Sequence, residues 1–99
     1  MKTVEIVVTA ADPDATRAWG EVKALDEPGM PTIAHIEARL TYNDVFQIRP
    51  GRHVYQFRVD RPSKITIDLK VEGASIGPAT QFDCTTITAG RRYTFEVPA

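Results

Sequence analysis

Cysteine is almost missing from this chain. Cys84 is the only one among 99 residues, so no disulfide can close within it and the fold must rest on its apolar core. A lone cysteine suits a reducing compartment better than an oxidising one. Long apolar runs are missing too. The opening stretch from Val4 to Ala11 is broken by Glu5 and Thr9 and ends at Asp12, too short and too polar for a signal peptide or a membrane span. A cytoplasmic, soluble protein with no membrane partner is therefore expected. Nor is there an excess of one charge. Twelve basic and 13 acidic side chains leave a net of −1, so nothing draws the chain in bulk to nucleic acid.

Catalytic equipment is equally sparse. Histidine occurs only at positions 35 and 53. With Cys84 the pair could supply three zinc ligands, but no two of the three stand at a metal-finger spacing. Surface or edge histidines are the simpler expectation, with no metal and no cofactor. Cys84 with a histidine base would make a nucleophile. It lies, however, in Phe82-Asp83-Cys84-Thr85-Thr86, where Phe82, Cys84 and Thr86 share one strand face, and a buried thiol beside Phe82 is expected instead. Gly73-Ala74-Ser75-Ile76-Gly77 is the nearest thing to a phosphate loop, and it lacks the lysine and the helix such a loop needs. Paired carboxylates at Asp12/Asp14 and Asp26/Glu27 flank prolines. They are too few for calcium, and turn chemistry explains them. No enzyme is expected, and a Cys84–histidine enzyme is the remotest alternative.

What the sequence does contain is alternation. Hydrophobic residues make up 42% and charged residues 25%, ordinary for one globular domain spanning 1–99. In Lys64 to Glu72, Ile65, Ile67, Leu69 and Val71 fall on one side and polar residues on the other, the period of a half-buried strand. His53 to Val59 repeats this through Tyr55, Phe57 and Val59, and Arg92 to Val97 through Tyr93, Phe95 and Val97. Thr3 to Thr9 is a β-branched first strand. Breaker clusters at Asp26–Pro31, Arg49–Arg52, Glu72–Pro78 and Ala89–Gly90 punctuate these runs. The spacing predicts an all-β antiparallel sandwich of seven or eight strands. The expected core is Val4, Ile6, Val8, Val22, Ile36, Leu40, Tyr55, Phe57, Val59, Ile65, Ile67, Leu69, Val71, Phe82, Cys84, Tyr93, Phe95 and Val97.

Two segments read both ways. Asp12-Pro13 opens like a capped helix, with Ala15, Ala18, Val22 and Leu25 at helical spacing. Gly20 weakens that helix, and Val22 and Ala24 also alternate with Glu21 and Lys23. Ile33, Ile36 and Leu40 suit a helix, whereas Ala34 to Tyr42 suits a strand face. Strands are preferred in both; a short helix near 13–25 or 32–42 would make the fold α+β.

Arginine is the most suggestive feature. Pro50-Gly51-Arg52-His53 and Ala89-Gly90-Arg91-Arg92 each lead from a turn into an aromatic strand. If those strands are neighbours, Arg52 would gather with Arg91 and Arg92 at one end, near Arg49, Arg58 and Arg61. Guanidinium forks bind carboxylate, sulfate or phosphate; a solvated basic rim is the plainer reading. Trp19, the only tryptophan, is expected between the sheets. Exposed, it would serve as a carbohydrate platform or a protein hot spot. Charge is also unevenly placed. Residues 1–48 hold four basic and eight acidic side chains, a net of −4, and residues 49–99 hold eight and five, a net of +3. The two sets are expected to blend into one mixed surface.

From Gly20 to Val59 the motifs follow a recognisable order. Gly20-Glu21-Val22-Lys23-Ala24 leads to Asp26-Glu27-Pro28-Gly29-Met30-Pro31 and then to Ile33-Ala34-His35-Ile36-Glu37-Ala38. Asp44-Val45-Phe46-Gln47-Ile48-Arg49-Pro50-Gly51 then runs into His53-Val54-Tyr55-Gln56-Phe57. This resembles the carboxypeptidase regulatory-like or transthyretin-like β-sandwiches, which are immunoglobulin-like in build. The resemblance covers about 40 residues and implies a sandwich with a passive, adhesive or carbohydrate-contacting role. It carries over no functional residue, and the strands after Asp60 have no counterpart in it. The expected function is a non-catalytic protein-interaction module, associating through sheet edges, including with itself. The alternative is a binder of carbohydrate or a small anionic ligand, using Trp19, Arg49, Arg52, His53, Arg91 and Arg92.

Overall fold

The computed structural model describes residues 1–11, 17–39, 42–84 and 90–99. Its elements are β1 (Lys2–Ala10), β2 (Arg17–Ala24), β3 (Thr32–Arg39), β4 (Tyr42–Ile48), β5 (Gly51–Val59), β6 (Ser63–Val71), β7 (Ala74–Ser75), β8 (Thr80–Cys84) and β9 (Arg91–Val97). All pairings among them are antiparallel. One sheet runs β4-β1-β6, with β7 and β8 both on the far side of β6; the other runs β3-β2-β5-β9. The two sheets face each other as a sandwich, as alternation with one wet face per strand requires.

Alternation assigns the inner faces. In β1, Val4, Ile6 and Val8 are fully buried, as are Ile65 and Ile67 in β6, with Leu69 almost so. Val22, Tyr55, Phe57, Val59, Phe95 and Val97 answer them from the other sheet in one continuous cluster. An aromatic chain threads this core. His53 stacks on Phe95 with centroids 5.5 Å apart, Phe95 on Tyr93 at 5.6 Å, and Phe82 bridges the sheets edge-on to Tyr93 and Phe57. Phe82 and Tyr93 are half-buried against the core rather than sealed in it. Leu40 lies outside the described residues. Ala18, Ala24, Ile48 and Val54 join the buried set.

The two ambiguous segments are strands over residues 17–24 and 32–39, so neither helix forms there; residues 12–16 and 40–41 lie outside the described part. The strand reading prevails in β2 because Ala18, Val22 and Ala24 are all buried on one face. Gly20 fills the fourth inward place, under the Tyr55 ring.

The strand after β6 is broken. Glu72 and Gly73 both take positive φ, 51° and 84°, the turn that matches strand twist. β7 then pairs Val71 with Ala74, whereas β8 pairs Ile67 with Thr80. The register jumps by two residues around Gly77-Pro78, so β7 and β8 are two pieces of one interrupted edge. A bulge with proline at an edge discourages further strand addition there.

Candidate functional site

The two outer faces differ. On the β4-β1-β6 sheet the outward polar side chains tie to one another. Asn43 Nδ2 donates to Glu5 Oε2 at 2.6 Å, Gln47 Nε2 to Thr3 Oγ1 at 3.1 Å, and Ser75 Oγ to Asp68 Oδ2 at 3.2 Å. The outer face of β3-β2-β5-β9 instead carries a trough of about 570 Å³, the size of a small-ligand cleft.

Register explains its shape. Gly20 pairs with Ile36 on one side and Phe57 on the other, and Phe57 pairs with Arg91. The backbone of these four residues forms the floor, because Ile36, Phe57 and Arg91 have inward parity and Gly20 has no side chain. One row beyond, Trp19 stands opposite Arg58 and makes the first wall. One row the other way, His35, Glu21, Gln56 and Arg92 line up across four strands and make the second. The trough thus crosses the strands, with Arg58 and Arg92 on opposite walls at its β5–β9 end.

Trp19 is 37% exposed, which corrects the expectation that it lies between the sheets. It shares outward parity with Glu21 and Lys23, whereas Ala18 and Val22 take the core positions. Burying Trp19 would require a one-residue register slip that turned the whole strand over.

The walls are electrically uneven. Glu21 accepts from Thr32 Oγ1 at 3.2 Å, pairs with Lys23 Nζ at 3.3 Å, and lies 4.0 Å from His35 Nδ1. Its hydrogen bond with Lys23 is the main reason its carboxyl titrates below the ordinary glutamate range, against a partial opposing effect of burial. Glu21 therefore stays ionised at the β3–β2 end. Arg91 reaches across the sandwich, its Nη2 donating to the carbonyl of Asp83 at 3.1 Å and its Nη1 to that of Gly90 at 3.3 Å. Arg58 and Arg92 are exposed, and neither has a hydrogen-bond or ion-pair partner among the described residues.

The remaining arginines do not join them. The two echo strands are neighbours, β5 and β9, but antiparallel, so Arg52 faces Glu96 while Arg92 faces Gln56. That places Arg52 four residues from Arg92 along the sheet, about 14 Å, so the single basic cluster that neighbouring strands would allow does not form. At its own end Arg52 is neutralised. Its backbone N–H donates to Asp26 Oδ2 at 2.8 Å, and Nε and Nη2 both lie 2.9 Å from Asp26 Oδ1. Those bonds, the backbone one first, hold Asp26 below its ordinary value. Arg49 pairs with Glu27 at 3.6 Å. His53, expected at a surface or edge, is 3% exposed because it occupies an inward position of β5, with Nδ1 3.0 Å from the carbonyl oxygen of Gly51. Arg49 and His53 border a second, smaller cavity of about 240 Å³ at this end.

Cys84 is buried, and burial pushes its thiol above the ordinary value, the reverse of what a nucleophile needs. Among the described residues no three His, Cys, Asp or Glu side chains gather as metal ligands would. Of the residues singled out from sequence, the trough unites Trp19, Arg91 and Arg92 and leaves out Arg49, Arg52 and His53. It adds Glu21 and Gln56, together with His35 and Arg58, which the sequence offered in other roles; all four share the outward face of Trp19. No family model, no curated protein and no solved structure matches this chain.

Proposed function

We propose that this domain is a non-catalytic binding module that takes a saccharide or similar small ligand in the trough. The observation that carries this reading is an exposed tryptophan set in a cleft whose walls bear amide, imidazole, carboxylate and guanidinium groups. An indole face takes the C–H face of a sugar ring, and planar polar side chains meet its hydroxyls. Descent from carboxypeptidase regulatory-like or transthyretin-like sandwiches is a proposal that rests on residues 20–59 alone.

Trp19 is the only indole, so it is its own reporter. Titrating an oligosaccharide panel into the protein is expected to shift Trp19 emission saturably. Trp19→Ala is expected to abolish binding seen by calorimetry while the protein still unfolds in a cooperative urea transition. Retention of calorimetric binding by Trp19→Ala would remove the trough from the function.

A second reading, self-association through sheet edges, is favoured by a separate observation. β3 and β9 each leave one side unpaired among the described residues, and acidic and basic segments lie toward opposite edges. Its test is the apparent mass in solution as a function of salt and dilution.

A further inference from the structure

The charge at one end of the trough narrows the ligand class, on the premise that the trough is a binding site. Arg58 and Arg92 sit on neighbouring strands in diagonal register, Arg92 opposite Gln56 and Arg58 two residues on. Diagonal neighbours lie about 7–8 Å apart, their Cβ atoms somewhat closer, within reach of two long side chains closing on one group. Two cations at that separation repel, and neither is offset by a partner among the described residues. Glu21, the one wall acid whose side chain is among the described residues, is held by Lys23 and Thr32 at the other end. An exposed cationic pair of this kind, next to an aromatic ring, is complementary to an anion.

The sheet face argues against a peptide as occupant. The floor is backbone whose N–H and C=O groups already belong to the ladders between β3, β2, β5 and β9. Strand addition needs an edge, not a face, so a peptide lying here would leave its own backbone groups unpaired at a cost. A sugar has no such backbone. Its hydroxyls both donate and accept, which suits Gln56, His35 and Glu21.

We propose that the trough selects an acidic oligosaccharide, with a sugar ring against Trp19 and a carboxylate or sulfate between Arg58 and Arg92. The ligand lies across the strands with its anionic group toward β9.

Short oligogalacturonates and their fully methyl-esterified forms differ in charge but hardly in shape; heparin-derived oligosaccharides and their desulfated forms make the sulfate pair. Calorimetry and Trp19 emission with both pairs are expected to give saturable binding of an acidic member and at least tenfold weaker binding of its neutral counterpart, with affinity falling as salt rises. Arg58→Gln and Arg92→Gln should each weaken the acidic ligand about tenfold, with unchanged melting temperature, and Trp19→Ala should abolish its binding. Equal binding of charged and neutral forms overturns the proposal and leaves the saccharide reading standing. Binding of a poly-glutamate peptide in preference to every glycan overturns the saccharide class. Acidic binding that survives Trp19→Ala reduces the effect to diffuse surface charge and overturns it. Silence of Trp19 and of the calorimeter toward every charged and neutral glycan overturns this proposal and the binding reading together.

Discussion

At position 20 a single hydrogen stands where other strands carry a core side chain. A Cβ there would lie 2.5 Å from the Gln56 carbonyl oxygen and from the Tyr55 ring, and 2.9 Å from Phe57 Cβ. The oxygen belongs to a backbone fixed by its ladder, so it cannot retreat as a flexible side chain would. Gly20→Ala is therefore expected to cost about 1–3 kcal/mol through overpacking, read as a lower urea midpoint at unchanged slope. An unchanged midpoint would show that Tyr55 and the strand yield freely. Cys84 gives a second test. Its buried, up-shifted thiol should react with iodoacetamide only in molecules that have opened, so labelling should be slow in the folded protein and rise with urea. Fast labelling of the folded protein would return Cys84 to the surface and revive the nucleophile reading. Trp19 marks what was legible at this scale. Its outward parity was available from the alternation of Glu21, Val22 and Lys23, but a general preference for burying the largest side chain outweighed it. His53 erred the other way, since its inward parity with Tyr55 and Phe57 was stronger evidence than its polarity.

Between elements, the turn after β2 is stapled to the start of β5. The Leu25 N–H donates to the Arg52 carbonyl at 2.9 Å, and Asp26 receives three contacts from Arg52. Gly51, just before, takes φ of 130° with Asp26 over it, a conformation open in practice to glycine alone. Because Asp26 titrates below its ordinary value when folded, the unfolded chain binds the proton more readily. The resulting stabilisation is present above the ordinary aspartate value of 3.8 and fades as pH falls through the lower folded value. Asp26→Asn should thus lower the melting temperature at neutral pH, and the gap to the unaltered protein should close as the solution is acidified past the aspartate range. A gap independent of pH would assign the effect to packing rather than charge. The strands of this region were legible from period, including β5 and β9 with their matching turn-to-aromatic entries. Which strands lie side by side was not. Alternation reads the same whatever the neighbour, so nothing local in Arg52 or Arg91 told that β5 and β9 are direct antiparallel partners, a pairing that parts the two arginines.

Across the molecule, the strands of the acidic and the basic half of the chain keep to opposite flanks, while Asp26 with Arg52 and Glu27 with Arg49 join the two halves at one end. β4 and β1 lie to one side of the first sheet, β3 and β2 to one side of the second, and β3 and β4 are themselves in contact. The described strands of residues 1–48 thus hold one flank, and those of residues 49–99, a segment of net +3, hold the other. The reason is topological. Each sheet adds its late strands on the far side of β1 or β2 instead of interleaving them, a connectivity that composition does not encode. The trough inherits this division, with Glu21 at one end and Arg58 and Arg92 at the other. The molecule measures 36 × 29 × 19 Å, and the Debye length is about 30 Å at 0.01 M salt but about 8 Å at 0.15 M. At low salt one flank is therefore felt across the whole body and beyond it, and a net charge of only −1 does little to hold copies apart. Light scattering over a dilution series should give an apparent mass that rises with concentration at 0.01 M salt and falls back to that of one 11.0 kDa chain at about 0.5 M, where screening is nearly complete. Self-association through β3 and β9 edges by backbone pairing would instead persist in salt, because those hydrogen bonds carry no net charge to screen. A mass indifferent to both salt and dilution, at one chain, would show that the divided flanks attract too weakly to matter between copies. It would also leave the Trp19 trough as the surface through which this domain meets a partner.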